Sequence, residues 1–508
     1  MKTITAFSLF ISGIILLSMQ TGAATWFVSP SGNDAAAGTM EQPFVSWVKA
    51  QSAAAAGDTV YFRGGTWTYT KAANNCSSQT SLTSVIILNK SGSSGKLIHY
   101  LAYPGEKPVF DFYGVTDDCR IRAFEVSASW IHMKGLEIQG LPQNNNLNHE
   151  NWGVHVFGSN NIFEQLDIHN IMGAGLFIQQ GEGNLVLNCD SHDNYDLYTS
   201  NGAGESADGF GCHTTTAGTV GNVFRGCRAW SNADDGYDCI NCDQPVLFEN
   251  CWAFLNGYKP GTSSAAGNGN GFKAGGFGLP PTGYPATIPR HTARNCLSFY
   301  NRVAGFYQNH HPVSNYYYNN TGYKNGVNFN MLGYDLNAGA DAGMGIYRNN
   351  VAYAGTAVSN AAGADASYNT WDLSSITVSD ADFQSVDTSG VRGPRKADGG
   401  LPDCAFMHLA AGSDMIDKGI IVGLPYAGQA PDLGAFEFGG APVSINQRGP
   451  KTLYTGIGDI AAADKFHLFD LSGRIRTTAG MRHSTGIHIY ILSPAKGGSC
   501  RYATINRE

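Results

Sequence analysis

The sequence predicts an all-β protein: a right-handed parallel β-helix followed by a small C-terminal β-sandwich-like domain. Three observations lead there. The 508 residues include 64 Gly and only 14% charged residues, with few long apolar periodic stretches, the mix expected of many short strands joined by tight turns. A short motif recurs in "LNCDSHDN", "RGCRAWSN", "ENCWAFLN", "RNCLSFYN" and "NNTGYKN", where a Cys or Asn precedes an Asn by five residues. A second pattern, "DGFGCH", "DGYDCI", "NGFKAG" and "AGFYQN", falls into register with the first. One strand-turn unit cannot bury its own apolar face, whereas stacked units can.

The elements follow in chain order. "MKTITAFSLFISGIILLSMQTGAAT" reads as a signal peptide over residues 1–24, with Lys2, an apolar run and small residues near Ala23 and Ala24. No later stretch is apolar for long enough to span a bilayer. The expected product is a soluble monomer that is secreted, whether extracellular, periplasmic or at the cell surface of a Gram-negative bacterium. The formal charge is −8 without a basic run, which argues against nucleic acid as a partner. Eleven Cys leave at least one thiol outside any intramolecular disulfide, and the sequence does not assign pairs. Ser46 to Ala56 is expected to form a short amphipathic helix that caps the first coil, which would otherwise expose a sheet edge.

The repeat sets the geometry of the middle of the chain. Cys189 goes with Asn194, Cys227 with Asn232, Cys251 with Asn256, Cys296 with Asn301, and Asn320 with Asn325. First positions are spaced 38, 24, 45 and 24 residues apart, so the base coil is about 24 residues and the longer spacings carry loops. In a β-helix successive coils rise by about 4.8 Å and equivalent positions stack in columns. The Cys and Asn columns are read as interior ladders of structural origin. Gly209, Gly236, Gly271 and Gly305 align in the second pattern, followed by Phe210, Tyr237, Phe272 and Phe306, which alternation turns inward. Asp238 and Lys273 then share an outward column, and Asp208 and Asp235 share another just ahead of it. Strict alternation would put Asp235 and Asp238 on opposite faces, so a bend is expected at Gly236.

That alignment gathers Asp208, Asp234, Asp235 and Asp238 on one exterior ledge beside Lys273. Mutual repulsion makes such a cluster costly unless a cation relieves it. Four carboxylates offer the oxygen-rich, flexible set that suits Ca²⁺, while Mg²⁺ demands stricter octahedral order and zinc favours His or Cys. The plainer reading of "DDG" alone is turn chemistry, and that of Lys273 alone is a surface ion pair; stacking across coils favours a site. A calcium ion beside a lysine suits β-elimination in a uronic acid: the metal acidifies the C5 hydrogen, the amine removes it, and the C4 oxygen leaves. The base must be a neutral amine, and at pH 8 only about 0.4% of an ordinary lysine is neutral. Aspartates alone push further the wrong way.

"ESADGFGCH", "NVFRGCRAWSNADDGYD", "ENCWAFLNG" and "GNGNGFKAGG" closely resemble polysaccharide lyase family nine, the family of pectate lyase L, over roughly residues 25–440. The resemblance implies a right-handed parallel β-helix, calcium held by Asp208, Asp234, Asp235 and Asp238, and Lys273 as the base. The sequence departs at Tyr237 and Cys239, both inward in this register. The implied activity is calcium-dependent cleavage of polygalacturonate, giving 4,5-unsaturated products from pectin; a rhamnogalacturonan lyase would use the same chemistry. His213, Tyr307, Asn309 and His310, with His311 beside it, are candidate sugar contacts, and ordinary loop polarity explains them about as well. Two other classes stay open: a glycoside hydrolase using paired aspartates, and a non-catalytic sugar-binding β-helix.

"GSDMIDKG" and "PDLGAFEFG" look like closing coils. Residues 441–508 change character, and their alternating strands resemble the small C-terminal sorting domains of Bacteroidetes, with "GIHIYIL" departing from the usual pattern.

Overall fold

A computed structural model describes residues 22–72, 76–78, 81–144, 150–199, 202–218, 220–277 and 284–439, and the backbone of Gly486–Ile491 and Arg501–Asn506. The chain divides into two compact units, Met1–Thr452 and Leu453–Glu508. In the second, Gly486–Ile491 pairs antiparallel with Arg501–Asn506. The rest of the expected β-sandwich, and residues 1–21 of the expected signal peptide, lie outside the described residues.

The first unit is a three-faced parallel solenoid. One sheet has twelve strands, from Thr25–Val28 to Asp365–Ser367, and the other two have ten each. In all three, each strand pairs in parallel with its equivalent one coil away. Leu185–Leu187, Asn222–Arg225, Val246–Glu249 and Thr292–Arg294 make four successive rungs of one face.

The repeat explains why these short segments pair. Asn232 donates its amide to Asn256 Oδ1 (3.1 Å), and Asn256 donates to Asn301 (2.8 Å) and Asn301 to Asn325 (2.9 Å). Each amide also serves backbone across the turn, as Asn256 does with Ala229 O at 3.2 Å. The ladder therefore pairs amide and backbone groups from coil to coil inside the core. Cys189, Cys227, Cys251 and Cys296 are fully buried free thiols in a neighbouring column, as expected of an interior ladder. A further column was not read from the sequence. Asn188, Gly226, Asn250, Asn295 and Asn319, each one residue before the ladder's first position, all have φ between 51° and 63°. Asn and Gly tolerate this left-handed corner better than other residues, which accounts for the "NC" and "GC" pairs.

Inside, Phe210, Tyr237, Phe272, Phe306 and Phe329 stack face to face with centroids 4.7–5.2 Å apart. Tyr237 and Cys239 are fully buried, so both point inward as the register requires. The cap helix forms over Trp47–Ala53, with Ser46 Oγ accepting from Lys49 N at 3.1 Å. It is shorter than the expected Ser46–Ala56 because Ala54 turns extended ahead of Gly57. Trp47 plugs the first coil against Phe62, Tyr100, Phe110 and Phe124. Cys76 and Cys119 form a disulfide.

The two segments read as closing coils add no rung. Residues 376–433 run instead along the outer face of the third sheet, the ten-stranded one that begins at Gly65–Thr68, where Phe383, Phe406, Met415 and Leu433 cover Trp252, Phe254, Phe299 and Tyr323. They lack the corner Asn and alternating pattern of a coil, and their apolar residues match an outward-facing aromatic column. Buried Arg228 ties the two layers, gripping Asp190 at 2.8 and 2.7 Å and donating to the carbonyls of Val391 and Gly393.

Candidate functional site

The site lies on the ten-stranded sheet that begins at Leu82–Leu88. Its registers are those the glycine alignment predicts: Phe210 faces Tyr237, Tyr237 faces Phe272, and Asp238 faces Lys273, which in turn faces Tyr307. The chain bends at Gly236, where only Tyr237–Asp238 continues as strand. That bend lets Asp235 and Asp238 serve the same side.

Asp208, Asp234 and Asp235 each offer an oxygen within 4.8 Å of the others, and Asp208, His213 and Asp238 make a second such group. Lys273 Nζ donates to Asp238 Oδ2 at 2.9 Å and lies 3.3 Å from Asp235 Oδ2. The expected exterior ledge is instead the floor of a cleft of about 280 Å³. Asp235 is 0% exposed, and Asp208, Asp234 and Asp238 are 3–4% exposed. The covering comes from the two insertions that the repeat spacing revealed. Asn268 N donates to Asp234 Oδ1 and Asn270 N to Asp235 Oδ1, both at 2.6 Å. Arg302 holds that loop through the carbonyls of Gly257, Gly267 and Asn268. The insertions meet at Gly267, whose φ is +60° and where a Cβ would fall 2.4 Å from Gly204 O.

Electrostatics follow from that burial. Asp208, Asp234 and Asp235 are held above the ordinary carboxylate range, by loss of hydration first; neighbouring aspartates push the same way, while Lys273 opposes and at Asp235 is the larger of the two charge effects. For Lys273, burial works to lower the pKa, but Asp238, Asp235, Asp234 and Asp208 outweigh it and hold the ammonium well above the usual lysine range. Four buried acids face one buried cation, so hard oxygen donors are in excess of local positive charge. Such a donor set fits a divalent ion that accepts carboxylate oxygens in flexible geometry.

The remaining expected contacts divide. His213 stands at the cleft, 3.8 Å from Asp238 Oδ2 and 4.7 Å between centroids from Phe177. Burial lowers its pKa, with Asp238 pulling upward and Lys273 downward. Tyr307 is the next outward residue beyond Lys273, its hydroxyl pushed up to about 12 by burial. His310 Nδ1 lies 2.6 Å from Asp341 Oδ1. Asn309 is buried with its amide on Gly275 O, and His311 is buried between Gly276 N and Pro289 O. Those two brace the turns behind the site.

Sequence reasoning missed Asn270, which occupies the place before Gly271 that Asp208 and Asp235 occupy before their glycines, and which donates to Asp235 Oδ1 at 2.9 Å. The register carried that signal. It also missed Glu150, Trp152, Phe177 and Glu205 on the cleft wall. Trp152 and Phe177 sit on coils without the Cys–Asn signature, and the acids lie in loops, which have no period.

Three comparisons bear on this geometry. The family described as Pel9A-like, right handed beta helix region, matches residues 26–379. Pectate lyase L of Dickeya chrysanthemi is 36% identical over 420 residues, covering 81% of this chain and 90% of the relative. Among solved structures, a rhamnogalacturonan lyase is 37% identical with a TM-score of 0.72, covering 77% of this chain and 97% of its own. The pectate lyase Pel9A is 34% identical with a TM-score of 0.68, covering 82% and 97%.

Proposed function

The chain belongs to the Pel9A-like family of right-handed β-helices and is a polysaccharide lyase, and from that premise we propose that it cuts a galacturonate-containing pectin backbone by β-elimination with Lys273 as the base. The observation that carries the proposal is the placement of one buried amine 2.9 and 3.3 Å from two of four clustered carboxylates. Asp208, Asp234, Asp235 and Asp238 would hold Ca²⁺. Bound there, the ion would neutralise the substrate carboxylate, acidify the C5 hydrogen and cancel the negative field that keeps Lys273 protonated.

The chain's own residues supply the rest. Lys273 Nζ, as the free amine, takes the C5 proton; the C5–H electrons form the C4–C5 double bond as the C4–O bond breaks, and the departing oxygen picks up a proton. Asp235 and Asp238 fix the amine on the floor of the cleft, and Asn268 and Asn270 fix Asp234 and Asp235 in turn. Orientation of this kind is worth more than any single contact in a proton transfer. Export of the enzyme to its polymeric substrate, as its expected N-terminal signal implies, belongs to the same proposal.

The test is to incubate the protein with polygalacturonate and, separately, with a rhamnogalacturonan backbone. The ultraviolet absorbance of unsaturated ends is followed with calcium and with a chelator. Absorbance that rises with calcium and stops on chelation is the expected result. New reducing ends without absorbance would mean hydrolysis, and no cleavage of either polymer would mean a binding protein.

A further inference from the structure

A second group of metal-ligating side chains lies on the third sheet, away from the cleft. Successive rungs there read "EIQ", "DIH" and "DSH", and their registers put Glu137, Asp167 and Asp190 in one outward column. Gln139, His169 and His192 make the next column, where the two imidazoles stack with centroids 4.9 Å apart. Glu137, Asp167 and His169 each offer an atom within 4.8 Å of the other two. His169 Nε2 lies 3.4 Å from Glu137 Oε1. Two donors bound to zinc at about 2.1 Å and at the tetrahedral angle sit about 3.4 Å apart.

The rings are also held as metal ligands are. His169 Nδ1 donates to Asn170 Oδ1 and His192 Nδ1 to Asp193 Oδ2, both at 2.7 Å. Asn170 and Asp193 occupy left-handed corners, with φ of 56° and 54°, which Asn and Asp tolerate. On the next three coils the corner residues are Ser231, Leu255 and Tyr300, and they follow Trp230, Phe254 and Phe299 instead of a histidine. Metal-bound imidazoles as a rule donate their second nitrogen in this way, which fixes the ring and aims the other nitrogen. His169 Nε2 is thereby turned toward the carboxylates, and His192 Nε2 steadies Asp167 by donating to its Oδ1 at 3.1 Å. Asp190, one rung on, is taken by Arg228 and Arg395. Lys107 pairs with Glu137 Oε2 and leaves Oε1 to the imidazole. The Asp167 side chain is 40% exposed, so an ion can enter from solvent. A nitrogen donor among two carboxylates selects a borderline ion such as Zn²⁺ over Ca²⁺ or Mg²⁺.

We propose that Glu137, Asp167 and His169 form a second metal site, which takes one zinc ion with water as its fourth ligand and pins two adjacent coils of the solenoid together. The site lies on a different sheet from Lys273 and does not depend on the lyase chemistry. The test uses the full chain, free of any affinity tag and stripped with a chelator. It is titrated with zinc chloride by calorimetry in excess calcium, which occupies oxygen-only sites. One equivalent should bind with a Kd of about 10 µM or tighter. At a hundredfold excess over that Kd the melting temperature should rise by about 2–4 °C. His169→Gln should abolish both effects. Asn170→Gly, which removes the ring's acceptor yet suits the left-handed corner, should weaken zinc binding by about 10–100-fold. His132→Gln, on a histidine of the twelve-stranded sheet that faces Glu164, should leave it unchanged. A wild-type chain that binds no zinc overturns the site and needs no variant to fold. Undiminished binding in His169→Gln overturns it as well, and so does a loss confined to His132→Gln, which would put the ion on the other sheet.

Discussion

Lys273 is nearly surrounded by acids, and its proposed role as base can be separated from metal binding by substitution. Lys273→Ala removes the proposed base but no carboxylate, so turnover should fall by about 10²–10⁴-fold. Calcium affinity, followed by titration calorimetry, should hold or tighten, since a competing ammonium is gone; an active Lys273→Ala enzyme would contradict the assignment of the base. Asp235→Asn removes a fully buried ligand candidate that also anchors Asn270, and should weaken both calcium binding and turnover. The pH dependence has a definite sign. Asp208, Asp234 and Asp235 are held above their ordinary value of 3.8, so between that value and the folded one the folded chain binds more protons than the unfolded chain. Their contribution to stability therefore falls as pH rises through that window. Lys273, raised above 10.5, stays charged throughout it and adds no slope there. Calcium needs the same carboxylates ionised. The gap in melting temperature between calcium-loaded and chelated protein should widen from pH 4 to pH 7, and a gap that is flat or narrows would exclude these groups as the ligands.

At the scale of the element, the corner ladders hold the rungs in register and the insertions between rungs make the site. Asn256 accepts from Asn232 and donates to Asn301 and Ala229 O, all inside the core. Asn256→Ala leaves several of those groups unpaired at roughly 1–3 kcal/mol each, and urea unfolding should show a loss of at least that size. Cys251→Ala deletes one interior thiol and should cost about 1 kcal/mol without changing turnover, which separates packing from chemistry in the Cys column. The sequence made the ladders readable because they are periodic: equal offsets along the chain become neighbours in space. It made the presence of two insertions readable too, from spacings of 38 and 45 residues against a base of about 24. It did not tell how they fold over the acids, because Asn268 and Arg302 act through contacts found once in the structure, not once per coil.

At the scale of the whole molecule, a solenoid must close its ends and cover any outward apolar column. Trp47 performs the first task, and Trp47→Ala should cost about 3–5 kcal/mol and promote association through the bared first coil, measurable by thermal melting with light scattering. Residues 376–433 perform the second task on the third sheet, where "GSDMIDKG" suggested another coil. By itself the sequence determined the winding, the rung register, the inward aromatic column and the company kept by Lys273, Asp238, Asp235 and Asp208. All of these follow from one repeating interval, which fixes strand neighbours before any loop is placed. Only the tertiary structure decided how deeply the acids are buried, that Trp152 and Phe177 flank them, and where the last segment of the solenoid unit lies. Those features depend on unrepeated contacts between distant side chains, and no interval along the chain encodes them.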